Sequence, residues 1–439
     1  MENQFVDRLL ERIGRISGIK AVTAVKEGMG VSYPLIMLGS VCLLIACFPV
    51  PGWEEGMASL FGNGWSAPLL SAAHVIFQAF SVFAVMGIAY KYCEPEGVSP
   101  LSAAFLAVTV FLMLLPEGAL SGLEHIAESG AAAGYWLGGP SIVMAIFTGL
   151  AVSRILCWFA KKGWLLPAPD NVPEGVVHAF SELVPGAVVL ALAFIVSVLV
   201  PFLGGAALPE LLNRLIQVPL QGILDTFAGG ILLTLLQTLL FWAGVHGPAI
   251  VGSLTDPLLT ANTLANQAIL DGGGSLLNNP AAHIVTQQIN MFATMGGCGM
   301  TLGLLLAVLI GARSEQLRSL VHVAGVSGLF NINEPIIFGA PIVFNRCFLF
   351  PFVAAPVLCL MITYGAIAIG FMMPFSAVQV LWPMPPILSG FLLAGWQGAV
   401  IQVVCLFMST LVYLPFVMAQ DKVYCAVEQE DEKRSLTVN

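Results

Sequence analysis

Apolar runs of membrane-crossing length recur along the chain, at about 30–49, 68–91, 101–116, 136–160, 183–204, 226–245, 289–311, 347–373 and 396–419. A helix needs roughly 20 predominantly apolar residues to span a bilayer, and these runs meet or approach that length. The intervals between them indicate sidedness. Residues 50–66 hold Glu54 and Glu55, and residues 117–134 hold Glu117, Glu124 and Glu128, both without Lys or Arg. Lys91, Arg154, Lys161 and Lys162 flank the opposite ends. Basic residues stay on the cytoplasmic side, so the loops alternate and both termini fall in the cytoplasm.

Several stretches break this pattern. Residues 2–27 set Phe5, Leu9, Leu10, Ile13, Ile16 and Ile19 at helical spacing among Arg8, Arg12, Arg15, Lys20 and Lys26. That predicts an amphipathic helix, lying on the membrane surface or packed on protein. Residues 163–182 are polar and Pro-rich, a link between two halves, and 206–225 are amphipathic. The segments 246–266 and 326–345 mix Thr, Asn, Asp, Gly and Pro into an apolar background. Paired interrupted segments of this kind point to a binding site in a transporter. The triple glycine at 272–274 follows no strand and precedes no Lys-Ser/Thr, so it is read as a loop and not a phosphate cradle. The charged tail from Asp421 is expected to lack structure. The resulting division is 1–27, an amphipathic N-terminal helix; 28–182, a first membrane half; 183–419, a second half with the binding site; and 420–439, a cytoplasmic tail.

Composition sharpens the class. Of 439 residues, 58% are hydrophobic and 9% charged, with net charge −9. A soluble domain carries about a quarter charged residues, so this chain is a polytopic, all-α membrane protein. Gly (45) and Pro (27) are abundant enough for kinked and closely packed helices. The nine cysteines show no CxxC and no pairing with histidines, so no disulfide framework or metal site is visible. Nothing suggests nucleic acid.

The candidate chemistry centres on 329–345, LFNINEPIIFGAPIVFN. Glu334 sits between two apolar runs, where a carboxylate is costly unless a polar partner meets it. It can accept hydrogen bonds from vicinal sugar hydroxyls or take a proton from one; its structural alternative is capping a half-helix. His246, in FWAGVHGPA, stands where an apolar run breaks, as a ligand or as a helix-end hydrogen-bonder. Asn333 can bind hydroxyls or favour a turn, and Asn331 is read as structural. Trp382, in LWPMPP, offers an indole face to a sugar ring or belongs to the interfacial aromatic belt. Asn290 is a further possible ligand, ahead of the GGCGMTLG run whose Gly299 and Gly303 permit close helix packing. Asp256 is a second acid in the membrane, read as a helix cap beside Pro257.

These residues are also where the chain resembles a known family. GRISGIKAVTAVKEG, YWLGGPSI, DNVPEGVVHAFSELVPG, VHG, GGCGMTLGL, NINEPIIFGAPIVFN, W-x-M-P and LVYLPFV occur in order over nearly the whole chain. It resembles the membrane (EIIC) subunits of the phosphoenolpyruvate-dependent sugar phosphotransferase system, in the lactose/cellobiose/diacetylchitobiose group. The resemblance implies an all-α fold with about ten transmembrane helices and two re-entrant hairpins. It implies a homodimer interface in the first half and a sugar-holding second half that moves as an elevator. It places Glu334 and His246 near the hydroxyl to be phosphorylated, with Asn333, Asn290 and Trp382 as sugar contacts. No cofactor is implied. The phosphoryl group would come from a phosphocysteine on a separate EIIB protein, supplied through EIIA, HPr and EI. Departures from the family pattern stand at Asn345-Arg346 (usually Asn-Pro), Cys298 (usually Ser) and His178 (usually Arg or another polar residue); Arg346 adds a positive charge on the cytoplasmic face where the resemblance implies EIIB docking.

The expected function is uptake of a disaccharide, with a β-linked one favoured, through the cell membrane. Two other classes share some features. An ion-coupled transporter would have similar broken helices but more intramembrane acids than Glu334 and Asp256. A sugar sensor would leave the second interrupted segment without a role.

Overall fold

Backbone amides in a hydrocarbon layer have no water to bond, so the chain must close them on itself. In the computed structural model the regular elements are all helices, among the described residues 19–438 except 49, 51, 117–134, 165–182, 245 and 341. At a few positions, Glu334 among them, the description covers the backbone alone. The amphipathic stretch before residue 19, the acidic interval 117–134 and residues 165–182, with His178, lie outside the described residues.

The first half contains α1 (Lys20–Ala46), α2 (Trp53–Phe61), α3 (Ala67–Gln78), α4 (Phe80–Cys93), α5 (Pro100–Met113) and α6 (Ile142–Lys162). Helices α1 and α4 touch backbone to backbone where Gly28 meets Gly87, since a Cβ on Gly87 would collide with the Gly28 carbonyl. The sequence expectation began the first span at about 30, yet α1 starts at Lys20. The Lys20 charge is met locally: its Nζ lies 2.6 Å from Glu96 and 3.8 Å from the centre of the Tyr92 ring. Lys161 of α6 holds the other Glu96 oxygen at 2.8 Å, so one carboxylate gathers the ends of three segments. The expected span 68–91 is two helices, α3 and α4, bent by 45° at Ala79.

The second half contains α7 (Leu183–Gly204), α8 (Leu208–Leu224), α9 (Phe227–Trp242), α10 (Gly247–Asp271), the single turn α11 (Asn290–Ala293), α12 (Thr301–Gly311), α13 (Glu315–Leu329), α14 (Glu334–Gly339), α15 (Arg346–Ala368) and α16 (Leu388–Val438). Helices α8 and α9 meet at 79°. By length and apolarity five described helices can cross a membrane, and seven if each bent pair counts as one span. The apolar helices α5 and α12 are shorter than that measure requires. This is a multi-pass membrane protein.

Three expectations need correction. The segment 246–266 is not interrupted: α10 runs unbroken for 25 residues with Pro257 inside it. Its polar face is matched by non-helical chain, with Asn262 Nδ2 donating to the Val285 carbonyl at 2.9 Å and Asn266 Nδ2 to those of His283 (2.8 Å) and Phe375 (2.9 Å). Conversely, the run 289–311 is not one helix. It breaks between α11 and α12, where Gly296, Gly297, Gly299 and Met300 all take positive φ. Finally, the tail from Asp421 is helical and continues α16, a helix that carries one break at Ala394–Gly395. Asp421 Oδ1 accepts the backbone N–H groups of Arg313 (2.9 Å) and Ser314 (2.8 Å), capping the start of α13. The charge that suggested disorder is thus used to satisfy a neighbouring helix end.

Removing that cap with Asp421→Ala is expected to destabilise the second half by roughly 1–3 kcal/mol. A thermal midpoint in detergent unchanged from wild type would show that the tail helix does not support α13.

Candidate functional site

The breaks in the second half converge. A cavity of about 700 Å³ lies where the α9–α10 junction, the 294–300 turn, the 330–333 tip and the 379–382 loop meet. Gly30 and Pro34 of α1 close another side, so the cavity sits between the halves. Its volume falls within the roughly 300–1,000 Å³ of small-molecule sites.

His246 occupies the N-cap of α10 and lines the cavity. Its Nδ1 accepts the Ala249 N–H at 3.1 Å, so the neutral ring carries its proton on Nε2. The ring packs 5.0 Å from that of Phe241, and its residue is exposed. The helix-end reading and the cavity reading therefore both hold: one nitrogen caps the helix and the other is left as a donor.

Asn331 sits at φ 62°, in the left-handed region that asparagine tolerates. Its Oδ1 accepts the Gly296 N–H at 2.8 Å, and its Nδ2 donates to the carbonyls of Trp382 (2.6 Å) and Met384 (3.1 Å). One amide thereby ties the tip to the glycine turn and to the Trp382 loop. Asn333, buried, donates from Nδ2 to the Cys298 carbonyl at 2.9 Å. A Cβ on Gly297 would overlap the Asn333 side chain, so glycine is required for this approach.

Asn290 and Trp382 line the same cavity, and the Asn290 side chain has no hydrogen-bond partner among the described residues. Of the five residues that the resemblance places at the sugar, His246, Asn290, Asn333 and Trp382 come together here. Glu334 follows Asn333 as the first residue of α14, and its side chain lies outside the described residues. Asp256 is not a cap: it stands inside α10 and faces the cavity. Gly299 takes φ +90° in the turn against the Phe352 ring, so only Gly303, against Ser409, serves helix packing.

Sequence reading passed over Gln237, Gln287 and Gln379, which also line the cavity. Their signal was available: an uncharged amide inside an apolar run needs a partner or a ligand. No group of three His, Cys, Asp or Glu side chains placed to hold a metal occurs among the described residues.

A multi-pass helical protein whose helix breaks enclose a cavity with polar side chains in an apolar frame is built to carry a small solute. The chain matches the family model "Phosphotransferase system, EIIC" over residues 26–356 and belongs to that family. It is 32% identical over 438 residues to the PTS system cellobiose-specific EIIC component of Geobacillus stearothermophilus, covering 97% of this chain and 95% of the relative. It is 33% identical over 432 residues to the lichenan permease IIC component of Bacillus subtilis (strain 168), covering 96% and 94%. The crystal structure of the transporter ChbC, the IIC component from the N,N'-diacetylchitobiose-specific phosphotransferase system, superposes with a TM-score of 0.88. That match has 28% identity and covers 97% of this chain and 99% of ChbC. The chain is therefore a sugar-transporting EIIC component.

Asn331→Gly keeps the left-handed backbone accessible while deleting three hydrogen bonds. In a background where Trp382 is the only tryptophan, its emission is expected to shift red as the loop loosens. An unshifted spectrum would remove the pinning role of Asn331.

Proposed function

We propose that the protein binds a β-linked disaccharide and carries it across the cell membrane for phosphorylation by a phosphocysteine on a separate EIIB. The observation that carries this reading is the shared cavity of His246, Asn290, Asn333 and Trp382 at the tip that leads into Glu334. Its relatives named for cellobiose, lichenan and N,N'-diacetylchitobiose support a β-linked ligand.

The lining suits a neutral polyhydroxylated ligand. Trp382 offers an apolar face to a ring, and side-chain amides offer donors and acceptors to hydroxyls. For the chemical step, Glu334 accepts the proton of the attacking hydroxyl. That oxygen bonds to phosphorus as the phosphorus–sulfur bond breaks, and the EIIB cysteine leaves as thiolate. His246 donates from Nε2 to the sugar or to a phosphoryl oxygen. The N-terminus of α10, beside His246, favours the incoming negative charge. Phosphoryl transfer depends mainly on such positioning and charge stabilisation.

The rest of the reading follows the family: two copies meeting through their first halves, an elevator movement of the second half, both termini in the cytoplasm, and EIIA, HPr and EI upstream. The competing reading, coupling to an ion gradient, calls for a series of intramembrane acids; among the described cavity residues Asp256 alone is acidic.

Glu334→Gln is expected to retain sugar binding while lowering EIIB-dependent phosphorylation by at least roughly 10²-fold. Single-turnover transfer from phosphorylated EIIB to labelled sugar measures it, and near-normal turnover would reassign Glu334 to binding or structure.

A further inference from the structure

Cys93 and Cys157 stand 64 residues apart and share no sequence motif, yet the fold sets their sulfurs 3.8 Å from each other inside the first half. We propose that they are a redox-active dithiol, a modification site that hydrogen peroxide converts to a disulfide between α4 and α6. The site is separate from the sugar cavity and does not depend on the function assigned to it.

The register of the two helices creates the pair. Where α4 and α6 touch, a Cβ on Gly149 would lie 3.2 Å from the Val85 carbonyl, and Ser153 Oγ donates to the Ala89 carbonyl at 3.4 Å. Val85–Gly149, Ala89–Ser153 and Cys93–Cys157 are successive steps of four residues on each helix, about one turn apiece. Small residues at the first two steps let the helices approach closely, and the thiols meet at the third. Both cysteines are buried, so a water-sized oxidant is favoured over a bulky one. Closing the gap to a bond of about 2.05 Å moves the sulfurs by less than about 2 Å.

A positive charge is fixed beside them. Lys20 Nζ lies 4.0 Å from Cys157 Sγ, held by Glu96 at 2.6 Å and by the Tyr92 ring at 3.8 Å. Lys161 meets the second Glu96 oxygen at 2.8 Å. Two ammonium groups thus share one carboxylate and leave a net positive charge next to Cys157. The thiolate is the form of cysteine that attacks an oxidant, and a neighbouring cation stabilises it. Cys359 and Cys405 also come together, between α15 and α16, but each thiol there donates to the other's backbone carbonyl (3.4 and 3.7 Å). They serve as an internal comparison.

The reaction balances with peroxide as the oxidant. The Cys157 thiolate attacks one peroxide oxygen. The S–O bond forms, the O–O bond breaks, and the leaving hydroxide takes a proton from solvent to become water. The Cys93 thiol then attacks the sulfenic sulfur. The S–S bond forms, the S–O bond breaks, and a second water departs with the Cys93 proton. Two electrons pass from the sulfurs to the peroxide, and a thiol reductant reverses the change by exchange. The disulfide ties α4 to α6 and ends the Lys20–Cys157 contact at the start of α1, the helix whose Gly30 and Pro34 line the cavity.

The test treats the purified full chain with hydrogen peroxide, denatures it, alkylates the remaining thiols and maps peptides by mass spectrometry without reductant. A cross-linked Cys93–Cys157 peptide pair is expected, lost after dithiothreitol, with Cys359 and Cys405 recovered alkylated. In Cys93→Ser, Cys157 is expected to accumulate as a sulfenic acid that dimedone captures. Lys20→Met is expected to slow disulfide formation by roughly tenfold, and Lys20→Arg to keep most of the rate. Recovery of Cys93 and Cys157 both alkylated after peroxide would overturn the assignment. So would a disulfide at Cys359–Cys405 in place of Cys93–Cys157, or an unchanged rate in Lys20→Met.

Discussion

Where the described residues of the second half leave a helix, backbone groups are exposed that lipid cannot satisfy, and polar side chains, amides foremost, satisfy many of them. Gln402 takes the N–H groups of Ile387 (2.5 Å) and Gly390 (2.9 Å) on one oxygen and returns a bond to the Met291 carbonyl at 3.0 Å. Gln288, Asn266, Asn331 and Asn333 do the same for the loops around 283–298 and 375–384. Asp225 accepts the N–H groups of Ile284 (2.8 Å) and Val285 (2.7 Å) and pairs with His283 at 2.9 Å. An unsatisfied amide in hydrocarbon costs several kcal/mol, so these bonds decide whether the irregular segments exist at all.

The same constraint explains the character of the site. Chain that must be stitched with Asn and Gln creates a lining of neutral donors and acceptors, set in an apolar frame. Such a lining favours an uncharged polyhydroxylated solute over an ion. In the proposed reaction the phosphoryl group adds about −1.5 to −2 charge to the sugar. The product then faces an apolar frame with few cations, which favours its release and traps it on the far side.

Much of this was legible in the sequence, and the limits have physical causes. The all-helical membrane class followed from composition, and NINEP with VHG marked the tip and the α9–α10 break that border the cavity. The break in 289–311 was hidden because its residues are apolar or small, so hydropathy stays high while three glycines turn the chain. Asp256 and the intact helix α10 depart from the expectation because polarity there does not mean irregularity; Asn262 and Asn266 of α10 are matched by loop carbonyls 17 to 109 residues away. The helical tail was missed because its charges satisfy a partner helix distant in sequence. Gln287 and Gln379 carry no motif, and only their meeting in space distinguishes them.

In the proposed function this cavity loads a sugar and releases it through phosphorylation and not through an ion gradient. Uptake of labelled cellobiose into proteoliposomes containing the purified protein tests it most directly. The account predicts sugar phosphate accumulating inside when phosphorylated EIIB is enclosed. Without EIIB it predicts equilibration of free sugar, even under an imposed sodium or proton gradient. Concentration of free sugar driven by either gradient would contradict it.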